Sequence, residues 1–323
     1  MNKLLTGVLF AGMLFSNAGI AVAAAKEVRI ASHVSEASPL FANSKLFVEK
    51  MSAKFPGKFD FKFFPNGQLG KEPALIDNIK LGSLEMAFVA SGVLKLDDKL
   101  GIFDLPWLFD NREHLVNAVN SDFGKEVINQ IEDKQGFIVL GIYENGFRHV
   151  INTKRPVLTP ADMGGLKIRV TGSKFKRDGF TAMGADPVPV AWQETFTAIQ
   201  QGVVDGAEAA LYGFYGAKLY EINDYISLTN HTYSPSFLTV SKAFWATLSD
   251  DEKNTFHQVA QDMQAEAFAQ AADLEAGYLE KMKSQIKIND VDPAPFQEKA
   301  KSVYATYTSK FGNDWLDMIK AAK

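Results

Sequence analysis

Apolar positions follow two rhythms that alternate along the chain. Over residues 27–33 they fall on every second position, with Val28 and Ile30 on one face, the period of a strand with one buried side. Residues 39–52 change to helical spacing through Leu40, Phe41, Leu46, Phe47 and Met51. Residues 59–64 alternate again, Phe59, Phe61 and Phe63 against Asp60 and Lys62, and the chain then turns through Pro65, Asn66 and Gly67. A helix is predicted over 73–81, stopped by Gly82, and a strand over 84–90. This order of strand, helix, strand, helix, strand predicts a mainly parallel sheet covered by helices.

The rhythm returns with strands over 166–170, 187–190 and 204–208 and helices over 174–183 and 193–201. The segments IKLGSLEMA (79–87) and IQQGVVDGA (199–207) share the pattern Ile-x-x-Gly-x-(Leu/Val)-(Glu/Asp)-x-Ala. In each, a helix ends, a glycine supplies the left-handed cap, and the chain enters a buried strand. Two similarly built α/β units, 120 residues apart, are the simplest reading. Strands over 137–143 and 148–152, around Glu144-Asn145-Gly146, and two more around Ser234-Pro235 are candidate crossings between the units. A helix opened by the capping box of Ser249 and Glu252 continues without a breaker to about residue 285, long enough to brace both units. The last residues, FGNDWLDMIKAAK, predict a closing helix. The division expected is 26–146 with 235–270 as one unit, and 147–234 with 271–323, including the C-terminal helices, as the other.

Residues 1–23 stand apart. Lys3 precedes an apolar run from Leu4 to Phe15, broken by Ser16 and Asn17, and Ala21-Val22-Ala23 offers a cleavage site. That is the pattern of a secretory signal peptide, too short for a membrane span. The mature protein is therefore expected to start near residues 24–26, to be exported to the periplasm, and to be soluble. It contains no cysteine, so no disulfide or thiolate chemistry is available and a 323-residue chain must rely on its core. A net charge of −4 and the absence of a basic run interleaved with aromatics argue against a nucleic-acid partner.

Enzyme signatures are missing: there is no G-x-S-x-G, H-E-x-x-H, P-loop or G-x-G-x-x-G. The five histidines show no metal-ligand spacing, so no metal and no cofactor are expected. A triad assembled in space is left open. The stretch GGLKIRVTGS (164–173) places Arg169 at the end of an alternating strand. Such an arginine is either a solvated edge charge or a clamp for a carboxylate, whose two oxygens match parallel guanidinium N–H groups. In open α/β sheets ligands bind beyond the carboxyl ends of the strands, which is where Arg169 falls. Arg148 follows Glu144-Asn145-Gly146 at the start of a crossing strand. Trp192 begins a predicted helix and is either core or an aromatic wall. Tyr212, with Phe214 and Tyr215, follows a strand end, and His33 ends the first strand. Lys174, Lys176 and Arg177 read as a solvated helix face.

The chain resembles the extracytoplasmic solute-binding proteins of TRAP transporters, the DctP family, through FFPNGQLG with LGSLEMAF, FDLPWLF (103–109), FGKEV (123–127), NGFRHVINTKRPV (145–157), TPADMGGLKIRV (159–170), MGADPVPVAWQETFTAIQQGVVDG (183–206) and LTNH (228–231). The resemblance implies a two-domain periplasmic binding-protein clamshell, with mixed, mainly parallel sheets, crossing strands and a long domain-bridging helix. It also implies capture of a small organic acid and delivery to a small and a large membrane subunit driven by an ion gradient. By the same resemblance Arg169 makes the main salt bridge to the ligand carboxylate, Arg148 assists, and Trp192 stacks on the ligand. His33 and Ser91 supply polar contacts, Glu72 meets the distal end, and His231 joins a buried water network. Where many members carry VDGQENP, with an asparagine that contacts the ligand, this chain has Ala209, which cannot hydrogen-bond; Ala90 stands where sialic acid binders have a glutamate. The expected ligand is thus a less polar monocarboxylate, a sugar, hydroxy or aromatic acid walled by Trp192 and Tyr212. A monomeric binding protein that is not an enzyme is expected. The alternatives are an exported enzyme using the same cleft and a binding protein that serves a sensor.

Overall fold

The computed structural model describes residues 24–323, so the leader reading for residues 1–23 lies outside the described residues. The first half runs β1 (Lys26–Ser32), α1 (Pro39–Lys54), β2 (Phe59–Phe64), α2 (Glu72–Leu81) and β3 (Met86–Val89). A 3₁₀ turn at Asp98–Asp104, α3 (Arg112–Val119) and α4 (Asp122–Gln135) lead into β4 (Phe137–Asn152). The second half runs α5 (Pro160–Met163), β5 (Lys167–Val170), α6 (Lys174–Ala182), β6 (Asp186–Pro189), α7 (Thr195–Gln200), β7 (Gly206–Ala209) and α8 (Leu211–Gly216). β8 (Tyr225–Ser241) returns to the first half, followed by α9 (Lys242–Ala246), α10 (Asp250–Asp262), α11 (Gln264–Met282), β9 (Lys287–Asp290), α12 (Ala294–Phe311) and α13 (Asp314–Ala321).

Strand order shows how the two halves repeat. The sheet reads β2-β1-β3-β8-β4-β7-β5-β6, with β9 beside β8. In the first half β1 pairs in parallel with β2 and β3; in the second, β5 pairs in parallel with β6 and β7. β3 then meets β8, and β7 meets β4, in antiparallel pairing. The two shared segments of the sequence do the same job: Gly82 (φ +75°) and Gly202 (φ +70°) take the left-handed conformation just before β3 and β7.

β4 and β8 form an antiparallel ribbon that passes through both halves. The expected breaks at Glu144-Asn145-Gly146 and Ser234-Pro235 do not occur: each pair of predicted strands is one continuous strand. Register shifts at Val139/Gly141, Glu144/Gly146 and Arg148/Val150 absorb the bend, since an extra residue kinks a strand without ending it. The long predicted helix is two helices, α10 and α11, separated at Met263, whose side chain is fully buried. One apolar core includes Phe47 and Met51 of α1, Phe214 of α8, Phe256 of α10 and Met282 of α11, so it spans both halves. The closing helix, expected with the second unit, lies against the first: Trp315 of α13 packs edge-on to Phe123 of α4 and donates its indole N–H to Glu126 Oε2 at 2.6 Å. α12 packs on α6, while its Tyr307 hydroxyl donates to Lys99 O at 2.9 Å.

Candidate ligand-binding site

The ends of β1, β3, β5, β6 and β7 converge on a cavity of about 410 Å³ between the halves. Arg169, Arg148, Trp192, Ala209 and Tyr212 from the second half line it, and His33, Glu72 and Ser91 face them from the first. His231 is not among the lining residues; it is buried, within 3.6 Å of Glu208 Oε2.

Arg169 is only 3% exposed. Its alternating strand turns it inward, and its Nε donates to Val190 O at 2.9 Å, just beyond β6. Its guanidinium carbon lies 5.3 Å from the Trp192 ring centroid, within reach of a cation–π contact. It has no ion pair among the described residues. Burial pushes its pKa down to about 10; Glu208 and Glu72 oppose that, and Arg148 adds to it.

Arg148 is committed elsewhere. It forms a bidentate pair with Glu208 through Nε and Nη2, and Nη2 also donates to the Glu208 carbonyl at 2.9 Å. Lys176 of α6 completes this buried network, 3.5 Å from Glu208 Oε2 and 3.0 Å from Asp104 Oδ1. Burial disfavours the Glu208 carboxylate, yet Arg148 and Lys176 hold its pKa well below the usual carboxylate range. Burial disfavours the charge of Arg148 as well, and Glu208 more than restores it. Two cations face two anions, so the network is neutral within itself. Arg169 stands outside this network, as does Lys95, which also lines the cavity and likewise has no ion pair among the described residues.

Lys176 is therefore not part of a solvated helix face. Phe175, Lys176, Gly179 and Phe180 form the buried face of α6, a helical spacing that the charge run obscured. Glu208, Asp104 and Asn145 also escaped the sequence reading. The signal for Glu208 was present: a lone acid in the small-residue strand GAEA must be paired if that strand is central.

The opposite wall is polar and anionic. Glu72 opens α2 and accepts the backbone N–H groups of Ala90 and Gly92, the latter at 3.0 Å, so its carboxylate holds the turn that carries Ser91. His33 Nδ1 is buried without a hydrogen-bond partner among the described residues and sits 3.8 Å from Glu72 Oε1. The Tyr212 hydroxyl donates to Asn145 Oδ1, and Asn145 Nδ2 donates to Ser234 Oγ at 2.9 Å. Thr171 Oγ1, in the same cavity wall, has no hydrogen-bond partner among the described residues. Two contacts cross the mouth: Gln193 Nε2 donates to His33 O at 3.3 Å, and Lys71 Nζ lies 2.5 Å from Glu194 Oε1. Trp192 is partly exposed in a 3₁₀ turn before α7, so it is wall rather than core. Among the described residues no cluster of three or more His, Asp or Glu could hold a metal ion.

The arrangement is thus two α/β halves around a cavity whose buried Arg169 has no ion pair among the described residues. The family model of bacterial extracellular solute-binding proteins, family 7 (DctP), matches residues 30–310, and the chain belongs to that family of TRAP solute-binding proteins. A solute-binding protein of Roseobacter denitrificans is 30% identical over 82% of this chain and 81% of its own length. The 2,3-diketo-L-gulonate-binding periplasmic protein YiaO of Escherichia coli is 30% identical over 74% of this chain and 73% of its own. Among solved structures, a TRAP periplasmic solute-binding protein from Bordetella, with density interpreted as pantoate, superposes with a TM-score of 0.88 at 33% identity over 92% of this chain and 99% of its own. The sugar acid binding protein DctPAm from Advenella mimigardefordensis, in complex with galactonate, superposes with a TM-score of 0.87 at 31% identity over 93% and 99%.

Proposed function

We propose that the protein captures a hydroxylated monocarboxylate in this cavity, with the carboxylate on Arg169, and delivers it to the small and large membrane subunits of a TRAP transporter. The observation that carries this reading is the buried, unpaired Arg169 beside a network already neutral. An anion gives Arg169 the partner it lacks, and a carboxylate fits the guanidinium fork. Arg148 acts through Glu208 as a buttress for the cavity wall rather than as a second clamp. Trp192 and the methyl groups of Ala209 and Ala210 suit carbon backbone, whereas Glu72, His33 and Ser91 suit hydroxyl groups at the distal end. The Glu72 carboxylate repels a second acid group there, which disfavours dicarboxylates. A TRAP protein of Sulfurospirillum deleyianum holds succinate; galactonate in DctPAm and D-erythronate in a Polaromonas protein are closer to the chemistry of this cavity. The two units close about the β4–β8 ribbon, the protein works as a periplasmic monomer after losing its leader, and the ligand leaves chemically unchanged.

A thermal-shift screen with D-galactonate, D-erythronate, succinate and D-galactose tests the reading. A ligand at a hundredfold over its Kd adds roughly 2.7 kcal/mol, a rise of several degrees in a protein of this size. The expected result is a rise with a hydroxylated monocarboxylate that exceeds the rise with succinate, and none with galactose. A largest shift from galactose, or turnover of the bound acid, would contradict the proposal.

A further inference from the structure

Lys95 ends the 3₁₀ turn Val93–Lys95 that follows β3, and Glu72 holds the approach to that turn through the N–H groups of Ala90 and Gly92. The lysine belongs to the first half, yet its side chain crosses the mouth of the ligand cavity to the second. A Cβ on Gly172, two residues beyond β5, would lie 3.1 Å from Lys95 Nζ and 3.2 Å from its Cε, tighter than an ordinary contact. The backbone at Gly172 is outside the left-handed region, so its conformation does not call for a glycine. What the missing side chain provides is room for the ammonium.

That ammonium is uncommitted. It lines the cavity along with Glu72 and Asp77, but it makes neither an ion pair nor a hydrogen bond among the described residues. Lys71, the other lysine in the wall, is paired with Glu194. Thr171, next to Gly172, is 9% exposed, and its Oγ1 has no hydrogen-bond partner among the described residues. Arg169 and Thr171 are two apart on extended chain, so they share a face, and both line the cavity. Two cations without an acidic partner and a buried, unused hydroxyl thus gather at one end of the cavity, and they come from opposite halves.

We propose that Lys95 is a specificity-determining residue for the acid end of the ligand: a carboxylate seated on Arg169 of the second half is met by Lys95 of the first, so one anionic group holds the two halves together. The inference rests on the proposed capture of a hydroxylated monocarboxylate and deepens it, because closure then depends on the acid group rather than on the hydroxyls. The test is a double-mutant cycle of Lys95→Met and Gly172→Ala, read as the Kd of D-galactonate and of D-erythronate by calorimetry in about 20 and about 200 mM NaCl. Lys95→Met should weaken binding about tenfold in low salt, the loss of one charge-assisted contact, and by less in high salt, where an exposed contact is already screened. Lys95 is exposed, so the ligand-free melting temperature should not change, and Lys95→Arg, which keeps the charge, should retain most of the affinity. Gly172→Ala moves the ammonium aside. It should weaken binding in the native background and cost nothing further beside Lys95→Met, since the two changes remove the same contact. Lys95→Met binding within about twofold of the native chain in both salts would overturn the inference, as would a Gly172→Ala loss that is equal in both backgrounds. Either result, with native binding intact and lost in Arg169→Lys, leaves the carboxylate reading standing. A native chain that binds neither acid removes both.

Discussion

Arg169 keeps its charge where water scarcely reaches it, and burial lowers its pKa to about 10. The fold therefore holds this charge at a cost that a bound anion would relieve. Two consequences follow for ligand-free and ligand-bound protein. Arg169→Met should leave the ligand-free melting temperature unchanged or raise it, while carboxylate binding falls a hundredfold or more; a clear loss of ligand-free stability would show that the guanidinium is structural. A bound carboxylate raises the pKa of Arg169, so above pH 10 binding takes up a proton and affinity falls as pH rises, by up to tenfold per unit. Below that, from about pH 6 to 9, it should be flat, which calorimetry at a series of pH values checks. Arg169 was placed at the cavity because alternation and a strand end fix where it points, whereas Trp192 was left open between core and wall. Lys176 was not: a lysine in a run of basic residues looks solvated, and only the buried acids Asp104 and Glu208, remote in sequence, explain why it is inside.

The elements that surround the site were read correctly where periodicity was local and missed where distant pairing decided. β1, β3, β5 and β7 follow from alternation and glycine caps. The continuity of β4 does not, because Asn145-Gly146 looks like a turn, and only pairing with β8 keeps it in the ladder. Pro235 is accommodated there opposite Glu144, where the register shifts. The break between α10 and α11 has no sequence breaker; Met263 is buried and the helices part at it. The buried network joins β4, β7, α6 and the 3₁₀ turn before α3, so it should behave as a unit. Glu208→Gln leaves Arg148 and Lys176 facing too little negative charge, and urea unfolding should show a loss of about 3–5 kcal/mol. A loss under about 1 kcal/mol would mean that water or a rearranged Asp104 replaces Glu208.

At the scale of the molecule, two similarly wound halves share one ribbon, and the ligand cavity lies where their strand ends meet. The 120-residue spacing of the two glycine-capped turns revealed this duplication. The amphipathic pattern of α13 announced an apolar face but not its partner, which is why the closing helix was expected on the wrong half. The Lys71–Glu194 and Gln193–His33 contacts across the mouth are exposed or weak, so they steady closure without locking it. Under the proposed function the energy of closure comes from the ligand, and above all from its carboxylate on Arg169. The most direct measurement is the Kd, by calorimetry, of the acid giving the largest thermal shift, for the native chain and for Arg169→Lys. A lysine keeps the charge but cannot reproduce the fork, so affinity should fall about a hundredfold or more with the ligand-free melting temperature little changed. Binding within about threefold of the native chain would contradict the assignment of Arg169 as the carboxylate anchor.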